Sequence, residues 1–538
     1  MALNRKIAYI DLNRQKIKIT PIPLKWRRKF LGGRGVGAYL FSKYASPKCD
    51  PLGSDNLVVI STGLLGGTLA APLGCTFIMA KSPLTNLLSI AQLKGLFASE
   101  LRWAGFDHLV IMGRAKKSVY IYIQNETVEI RNANKVWGKN VSKSQDQIRK
   151  DLRNEDVRMF GIGPAGENLV SFATISTDQN TTSGHTGIGA VFGSKNIKAV
   201  VCRGTMDLEI KQPEQVLKSK RKSVGQVADK RREHSNETDQ FKLNLTIRDM
   251  TASKVTDRGS DLYSESNFLI RELGMDALAV KGFLKWVFAL HEKGNIKANE
   301  AAGLKLSRED PDAVPEMIKH IAYCKGLGDI LAKGPFRAAG LIGNSSLTYF
   351  VPVKWLIKIY SEDPPAGNFG TFVPIHQETD LAGTDGIQPL NGATGSIRSD
   401  EINEMIFNCL GISADKDFDS FFGCGDLSRL IEQIRINTGL IFDDNELNKI
   451  AYRCYIVERL VNIREEVTCR NDFHPDCSFD VPARLEMTGA MWDGIDLKTF
   501  KRSVNEYYRK RRWKKKDLLK AGVFKKLEIV DLWLPAKT

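Results

Sequence analysis

The feature that most restricts this chain is the clustering of glycine between short runs of apolar residues along its first 205 positions. Leu57–Ser61 (LVVIS), Leu109–Met112 (LVIM) and Val200–Cys202 are runs of strand length with the character of strands covered on both faces. Lys6–Ile19 alternates polar and apolar residues around Asn13-Arg14. Val119–Ile123 and Thr127–Ile130 repeat that pattern around Gln124–Glu126, so both stretches read as hairpins. Between the runs stand Gly32, Gly33, Gly35 and Gly37; Gly63, Gly66 and Gly67; Gly161, Gly163 and Gly166; and Gly184, Gly187, Gly189 and Gly193. Glycine at this density lets backbone approach backbone, or a large ligand, closely. A β-rich domain over residues 1–205 is the expectation.

Beyond it the periodicity is helical. Gly282–Lys293 (GFLKWVFALHEK) is an apolar helix closed by Gly294, with a basic last turn that suits the helix dipole. Asp443 with Glu446 three residues on forms a capping box, followed by a stripe of Leu447, Ile450, Ala451, Cys454, Val457 and Val461. Asp415–Leu440 and Lys498–Lys510 carry similar patterns, and residues 205–260 read as a charged linker with loops. At 538 residues the chain exceeds one hydrophobic core. The expected division is 1–205, a helical domain over 206–390 and another over 391–538 with a basic C-terminal segment.

No apolar stretch approaches the roughly 20 residues that span a bilayer, so no membrane association is expected. The N-terminus (MALNRKIAYIDLN) has neither signal-peptide nor transit-peptide character, and a cytoplasmic location is the default expectation. Nine cysteines contain no Cys-x-x-Cys pair, the closest two being Cys469 and Cys477. That spacing argues against disulfides and against a zinc or iron–sulfur motif local in sequence. The net charge of +16 is concentrated at Lys218–Lys222, Lys230–Arg232 and Tyr507–Lys516 (YYRKRRWKKK). Aromatics among basic residues could stack bases and neutralise phosphates. A solvated helix explains the same residues, and no nucleic-acid-binding motif accompanies them.

The run Thr186–Ala199 (TGIGAVFGSKNIKA) mimics phosphate-binding loops. The order Gly193-Ser194-Lys195 breaks a Walker loop, however, and the run lies too far along the chain for a Rossmann fingerprint. Its neighbours are more telling. Gly32–Leu40 (GGRGVGAYL), Lys81–Thr85 (KSPLT), Ala104–Asp107 (AGFD), Trp137–Lys139 (WGK), Ile162–Val170 (IGPAGENLV) and Gly189–Ala199 (GAVFGSKNIKA) follow in order. Leu273–Asp276 (LGMD), Leu290–Gly294 (LHEKG), Gly326–Gly334 (GLGDILAKG), Leu410-Gly411, Asn462–Arg464 (NIR) and Tyr507-Tyr508 before Arg512-Trp513 continue the series. In this the chain resembles the tungsten-dependent aldehyde:ferredoxin oxidoreductases over nearly its whole length. The resemblance implies an α+β fold, with a pseudo-twofold double-sheet base under two mainly helical domains. It also implies a tungsten or molybdenum bis-pterin beside a [4Fe-4S] cluster, oxidising aldehydes and passing single electrons to ferredoxin.

The same resemblance locates departures. The family's cluster is held by a Cys-x-x-Cys-x-x-x-Cys motif ahead of the LGMD helix and by a fourth, later cysteine. Here no cysteine lies between Cys202 and Cys324, and the fourth position falls at Ser413. Serine is a poor ligand for such a cluster, so neither the cluster nor a ferredoxin partner is expected. The family's arginine ahead of the KSPLT stretch falls at Cys75. Its Asn-Ser-Gly-Gly falls on Gln92-Leu93-Lys94-Gly95, and its Arg-Gly-Gly-Leu-Gly on His185-Thr186-Gly187-Ile188-Gly189. Two Asp-x-x-Gly pterin contacts align with Arg271 and Asn408. Gln92, Lys94, Gly95, His185, Thr186, Gly187, Asn408 and Ser413 are therefore the candidate cofactor-binding positions, with no residue assigned to a metal. Loss of the arginine fork and bulkier neighbours predict a crowded pocket, while Lys94 and His185 restore charge; a lost pocket and a remodelled one both stay open. Asp380 falls at or near the family's catalytic histidine and could act as a general base; His376 and Glu378 are the other candidates. Loop residues without chemistry remain the alternative. Asp363-Pro364-Pro365 replaces the family's Asp-Pro-Arg.

Three functions follow as expectations. The first is a family member without the cluster and with a lost or remodelled metal-pterin site, acting as a partner subunit in a homo- or hetero-oligomer with a catalytic relative or an electron-transfer subunit. The second is an active tungsten- or molybdenum-pterin aldehyde oxidoreductase with an altered electron exit. The third, nucleic-acid binding by the basic C-terminal segment, has the least support.

Overall fold

The computed structural model describes residues 5–71, 73–178, 181–184, 186–221, 257–292, 294, 296, 312–343, 346, 352–353, 356–357, 394–412, 427–465 and 521–533. Two sheets organise the first 205 residues. One has six strands in the order β2-β1-β6-β3-β4-β5. They are β1 (Lys6–Asp11), β2 (Lys16–Pro21), β3 (Val58–Thr62), β4 (Cys75–Lys81), β5 (Leu88–Lys94) and β6 (Phe106–Met112). The other has five strands in the order β10-β9-β11-β7-β8. These are β7 (Val119–Gln124), β8 (Thr127–Asn132), β9 (Arg158–Ile162), β10 (Ile175–Thr177) and β11 (Ile197–Arg203). The sheets share a plan that no sequence repeat reveals. Each opens with a hairpin, β1-β2 or β7-β8, whose first strand is later joined in parallel by the closing strand, β6 or β11. Each closing strand also starts on a bulge: the pairing steps from Phe106 to His108 past Asp107, and from Ile197 to Ala199 past Lys198.

Both hairpins sit where alternation placed them. The expected double-sheet base is present, and helices interleave with its strands. These are α1 (Leu24–Phe30), α2 (Gly33–Tyr44), α3 (Phe97–Trp103), α4 (Val141–Leu152), α5 (Pro164–Glu167) and α6 (Ile188–Ser194). Glycine is a poor helix former, yet GGRGVGAYL builds most of α2, and Gly33–Ser42 are all buried. Packing overrides propensity there: a Cβ on Gly35 would lie 2.5 Å from the Phe30 carbonyl and 2.8 Å from the sulfurs of Cys409 and Cys454. Similarly, TGIGAVFGSKNIKA is α6 running into β11.

Residues 213–221, within the stretch expected as a linker, are helical, and the helices beyond include α7 (Asp257–Leu273), α8 (Ala277–Glu292), α9 (Ala313–Ala322), α10 (Leu327–Ala332), α11 (Pro335–Ile342), α12 (Thr394–Leu410), α13 (Leu427–Thr438), α14 (Asp444–Arg464), α15 (Ala521–Leu527) and α16 (Val530–Trp533). Pro352–Val353 and Leu356–Ile357 pair as a two-stranded sheet. Asp443 and Glu446 form the capping box of α14, and Gly294 follows α8 at φ 74°. Of the expected helix Asp415–Leu440, Leu427–Thr438 is seen; 413–426 and Lys498–Lys510 lie outside the described residues.

The two sheets face each other across a core that includes Ile60, Ile78, Phe97, Leu109, Ile121, Phe160, Phe192 and Val200. The opposite side of the six-stranded sheet packs through α2 onto α12–α14. On the other side of the base, Ala165, Phe172 and Ala190 join α7–α11 in a separate core. Among the described residues no helix is long and apolar enough to cross a membrane.

Candidate functional site

Two seams join the base to the helices, and both are made by glycine. At the first, Leu64 and Leu65 donate backbone N–H groups to the carbonyls of Cys409 (3.1 Å) and Leu410 (2.9 Å), and Cys75 donates to Gly411 (3.0 Å). A Cβ on Gly63 would stand 1.9 Å from the Gly411 nitrogen, so this seam closes only without one. At the second, Thr174 donates to the Gly274 carbonyl (2.9 Å), Ala173 bridges Met275, and a Cβ on Gly163 would be 2.4 Å from the Leu273 carbonyl. The helices at the seams end alike. Both α7 and α12 finish on leucine followed by a left-handed glycine, Gly274 at φ 76° and Gly411 at φ 79°.

Arg271 and Asn408 occupy equivalent places, just ahead of those glycines. Neither offers a carboxylate. Arg271 stacks over the Phe268 ring at 5.5 Å, and its Nε is buried without a hydrogen-bond partner. Asn408 is buried and donates from Nδ2 to Glu404 Oε1 at 3.3 Å.

The other described candidates lie on β5 and ahead of α3 and α6. Cys75 and Lys94 pair across β4 and β5, and Gln92 donates from Nε2 to Cys75 Sγ at 3.2 Å. Lys94 is exposed, and its carbonyl accepts from Thr181 Oγ1 at 3.0 Å, tying the end of β5 to the second sheet. Gly95 (φ 138°) leads into α3 as Gly187 (φ 66°) leads into α6, with buried Thr186 beside it. A Cβ on Gly187 would lie 2.3 Å from the Ser171 carbonyl. Gln92, Lys94 and Gly95 are thus joined to Cys75, and through its N–H to the turn after Asn408. His185, His376, Glu378, Asp380 and Ser413 lie outside the described residues.

The motifs that carry the resemblance turn out to hold buried charges, a role the sequence did not disclose. Asp107 of AGFD accepts from Arg27 Nη2 (2.8 Å) and Arg102 Nε (3.0 Å), all three side chains buried. The two guanidiniums keep its carboxyl below the carboxylate range in spite of burial. Arg102 also donates from Nη1 to the carbonyls of Leu64 (2.5 Å) and Gly66 (2.8 Å), bracing the first seam. Arg34 of GGRGVGAYL grips Glu458 of α14 at 2.8 and 3.0 Å. Burial pushes that carboxyl up to about 7 against the pull of Arg34. Glu167 of PAGEN takes Lys198 Nζ (2.5 Å) and the N–H of Gly138 in WGK (2.7 Å), so three motifs meet at one carboxylate. Lys195 donates to the carbonyls of Ser54 (3.1 Å) and Gly113 (2.9 Å), and burial brings its ammonium down to about 8.

A small cleft lies elsewhere, lined by Ser42, Cys49, Lys81, Leu88, Arg464 and Glu465 among others, and by none of the candidate residues. Its Lys81–Glu465 contact (2.5 Å) links KSPLT to the end of α14.

Six of the nine cysteines are described, all with free thiols. Cys409 and Cys454, 3.9 Å apart, pack in the core beneath α2. Among the described residues no group of three or more cysteine, histidine or acidic side chains is arranged to hold a metal ion.

Comparison with known proteins agrees with this architecture. Against a solved structure described as the active site complex BamBC of benzoyl coenzyme A reductase, the chain gives a TM-score of 0.80 at 21% identity, covering 99% of this chain and 98% of that one. It is 31% identical over 409 residues to the tungsten-containing aldehyde ferredoxin oxidoreductase of Pyrococcus furiosus, 64% of this chain and 68% of that protein. It is also 30% identical over 425 residues to the aliphatic sulfonate oxidoreductase, WOR-like subunit, of the same organism, 63% of this chain and 67% of that one. Residues 7–204 match the aldehyde ferredoxin oxidoreductase N-terminal domain, and residues 250–364 and 399–529 match domains 2 and 3 of that family. Sheets, seams and matched segments together place the chain in the aldehyde ferredoxin oxidoreductase family.

Proposed function

We propose that this chain is a cytoplasmic family member without the [4Fe-4S] cluster and with a lost or remodelled metal-pterin site, serving as a non-catalytic partner of a catalytic relative. The observation that carries the reading is the donor set. A [4Fe-4S] cluster calls for four thiolates, and no cysteine lies between Cys202 and Cys324. The pterin positions fit no better. A guanidinium at Arg271 can accept no hydrogen bond, the Asn408 amide is turned to Glu404, and Cys75 provides no fork for a phosphate. Gln92, Lys94, Gly95, Thr186 and Gly187 then line a surface where base and helices meet, retained for its shape. A partner role is in keeping with two names found by comparison, a WOR-like subunit and a BamBC complex. The expected division into 1–205, 206–390 and 391–538 belongs to this reading.

Native purification followed by elemental analysis tests it. The expected result is tungsten, molybdenum and iron each below ~0.1 per chain, with a second family protein co-purifying. One tungsten with about four irons per chain would overturn the proposal. The tungsten-containing relatives favour a second reading, an aldehyde oxidoreductase with another electron exit. It requires stoichiometric tungsten or molybdenum without iron, and aldehyde-dependent reduction of a viologen dye.

A further inference from the structure

The charge of the first 48 residues is lopsided, with twelve lysines and arginines against one acid, Asp11. Arg5, Arg27 and Arg34 are buried, and Lys6, Arg14 and Lys29 pair with Glu126, Asp11 and Glu528. Lys16, Lys18, Lys25 and Arg28 are exposed and form no ion pair among the described residues. One surface collects them. Lys18 stands directly across from Tyr9 in the β1-β2 register, so both side chains lie on the same face of the sheet. Tyr9 meets Tyr44 edge-on at 5.7 Å, and Lys43 Nζ lies 5.3 Å from the Trp26 ring and 5.5 Å from that of Tyr44. Trp26 belongs to α1, which carries Lys25 and Arg28.

β2 is the free edge of this surface. It ends the six-stranded sheet, with β1 as its strand partner. A strand in that position presents a row of unpaired N–H and C=O groups, a template for a further strand. Pro21 closes the row and leaves Lys16–Thr20 to pair. Lys16, Lys18 and Thr20 alternate with Ile17 and Ile19, so the two faces of β2 differ, and Ile17 leans on the core between the sheets. A second copy of β2 is a poor occupant, because antiparallel pairing centred on Lys18 sets like charges opposite each other. A nucleic acid would meet the lysines but leave the backbone row unmatched, along with Ile19, which is 39% exposed. We propose that β2 docks an acidic, extended segment of another protein as an additional strand. Its carboxylates would lie over Lys16 and Lys18, and its apolar residues beside Ile17 and Ile19. This docking rests on the partner role proposed above and gives that role a surface.

A short labelled peptide alternating Glu and Val, titrated with the full chain and followed by fluorescence anisotropy, provides the test. Saturable binding is expected, weakening as salt rises. Combining Lys16→Glu with Lys18→Glu should weaken it at least ~10-fold. Methylating the peptide's backbone nitrogens should abolish binding to the unaltered chain, because the ladder to β2 is then lost. Hydrogen exchange should slow at the amides of residues 16–20 when the unmethylated peptide is bound. No binding, equal binding of the methylated peptide, or displacement by single-stranded RNA or anionic phospholipid vesicles that bind more tightly overturns the assignment. None of these outcomes changes the metal content of the chain, so a failure here is distinct from a failure of the cluster-free reading.

Discussion

The knot at Glu167 allows a prediction with a defined size. Its carboxylate accepts from Lys198 Nζ at 2.5 Å and from the Gly138 N–H at 2.7 Å, and Lys198 also donates to the Lys139 carbonyl at 2.8 Å. The Lys198 and Glu167 side chains are 1% and 6% exposed. Burial holds the Glu167 carboxyl above its ordinary value and the Lys198 ammonium below it, so pairing offsets only part of the desolvation. Glu167→Ala leaves the ammonium buried with one carbonyl, which costs about 3–5 kcal/mol. Gly138 is exposed, and water replaces its lost partner at little cost. Removing both charges, as in Glu167→Leu with Lys198→Met, should return stability to within about 1 kcal/mol of the original chain. Guanidinium unfolding measures the double-mutant cycle, with hydrogen exchange on β7, β9 and β11 localising the loss. A single variant costing under ~1 kcal/mol, or a double variant no better than the single, would refute a knot governed by buried charge.

Two further predictions concern the base. Burial lowers the pKa of His108 from its ordinary 6.5 to about 3, despite neighbouring Asp107, so it stays neutral in the fold. Between those values only the unfolded chain takes up the proton; stability is fully present above pH 6.5 and falls toward pH 3 by about 1.4 kcal/mol per unit from this residue. His108→Gln should remove that part of the acid slope in urea titrations, and an unchanged slope would contradict the assignment. Glycine substitutions should split by position. Gly63→Ala drives a Cβ into backbone at 1.9 Å and should expose the first seam to limited proteolysis. Gly340→Ala, within α11 and with nothing within 4 Å of the new Cβ, should raise stability by about 0.5–1 kcal/mol.

Local signals in the sequence were reliable where local forces decide. Alternation fixed both hairpins, and the Asp443–Glu446 pair fixed the start of α14, because pleat and capping are settled within a few residues. α2 was not legible, since its glycines oppose a helix until Ser61, Met79, Cys409 and Cys454 pack against it. Nor was the Arg34–Glu458 pair, whose members stand 424 residues apart. For the candidate site, resemblance singled out Gln92, Lys94, Gly95, Thr186, Gly187 and Asn408; of these the fold puts Gln92 and Lys94 beside Cys75 and the Lys94 carbonyl on Thr181. The glycine clusters read as places where backbone meets backbone or a large ligand, and at Gly63, Gly163 and Gly187 the close neighbour is backbone.

The bulges at Asp107 and Lys198 carry a consequence for how the two sheets are told apart. They occupy the same step of the same plan, each just after a seven-residue helix and at the start of a closing strand. One presents an anion to cationic neighbours and the other a cation to an anionic one. The halves therefore have matching outlines but opposite keys. A chimera with the two strand starts exchanged would set Lys198 among Arg27 and Arg102 and Asp107 against Glu167. The fold's near-symmetry is thus one of shape alone, and the sign of a single buried charge dictates which half receives which set of neighbours.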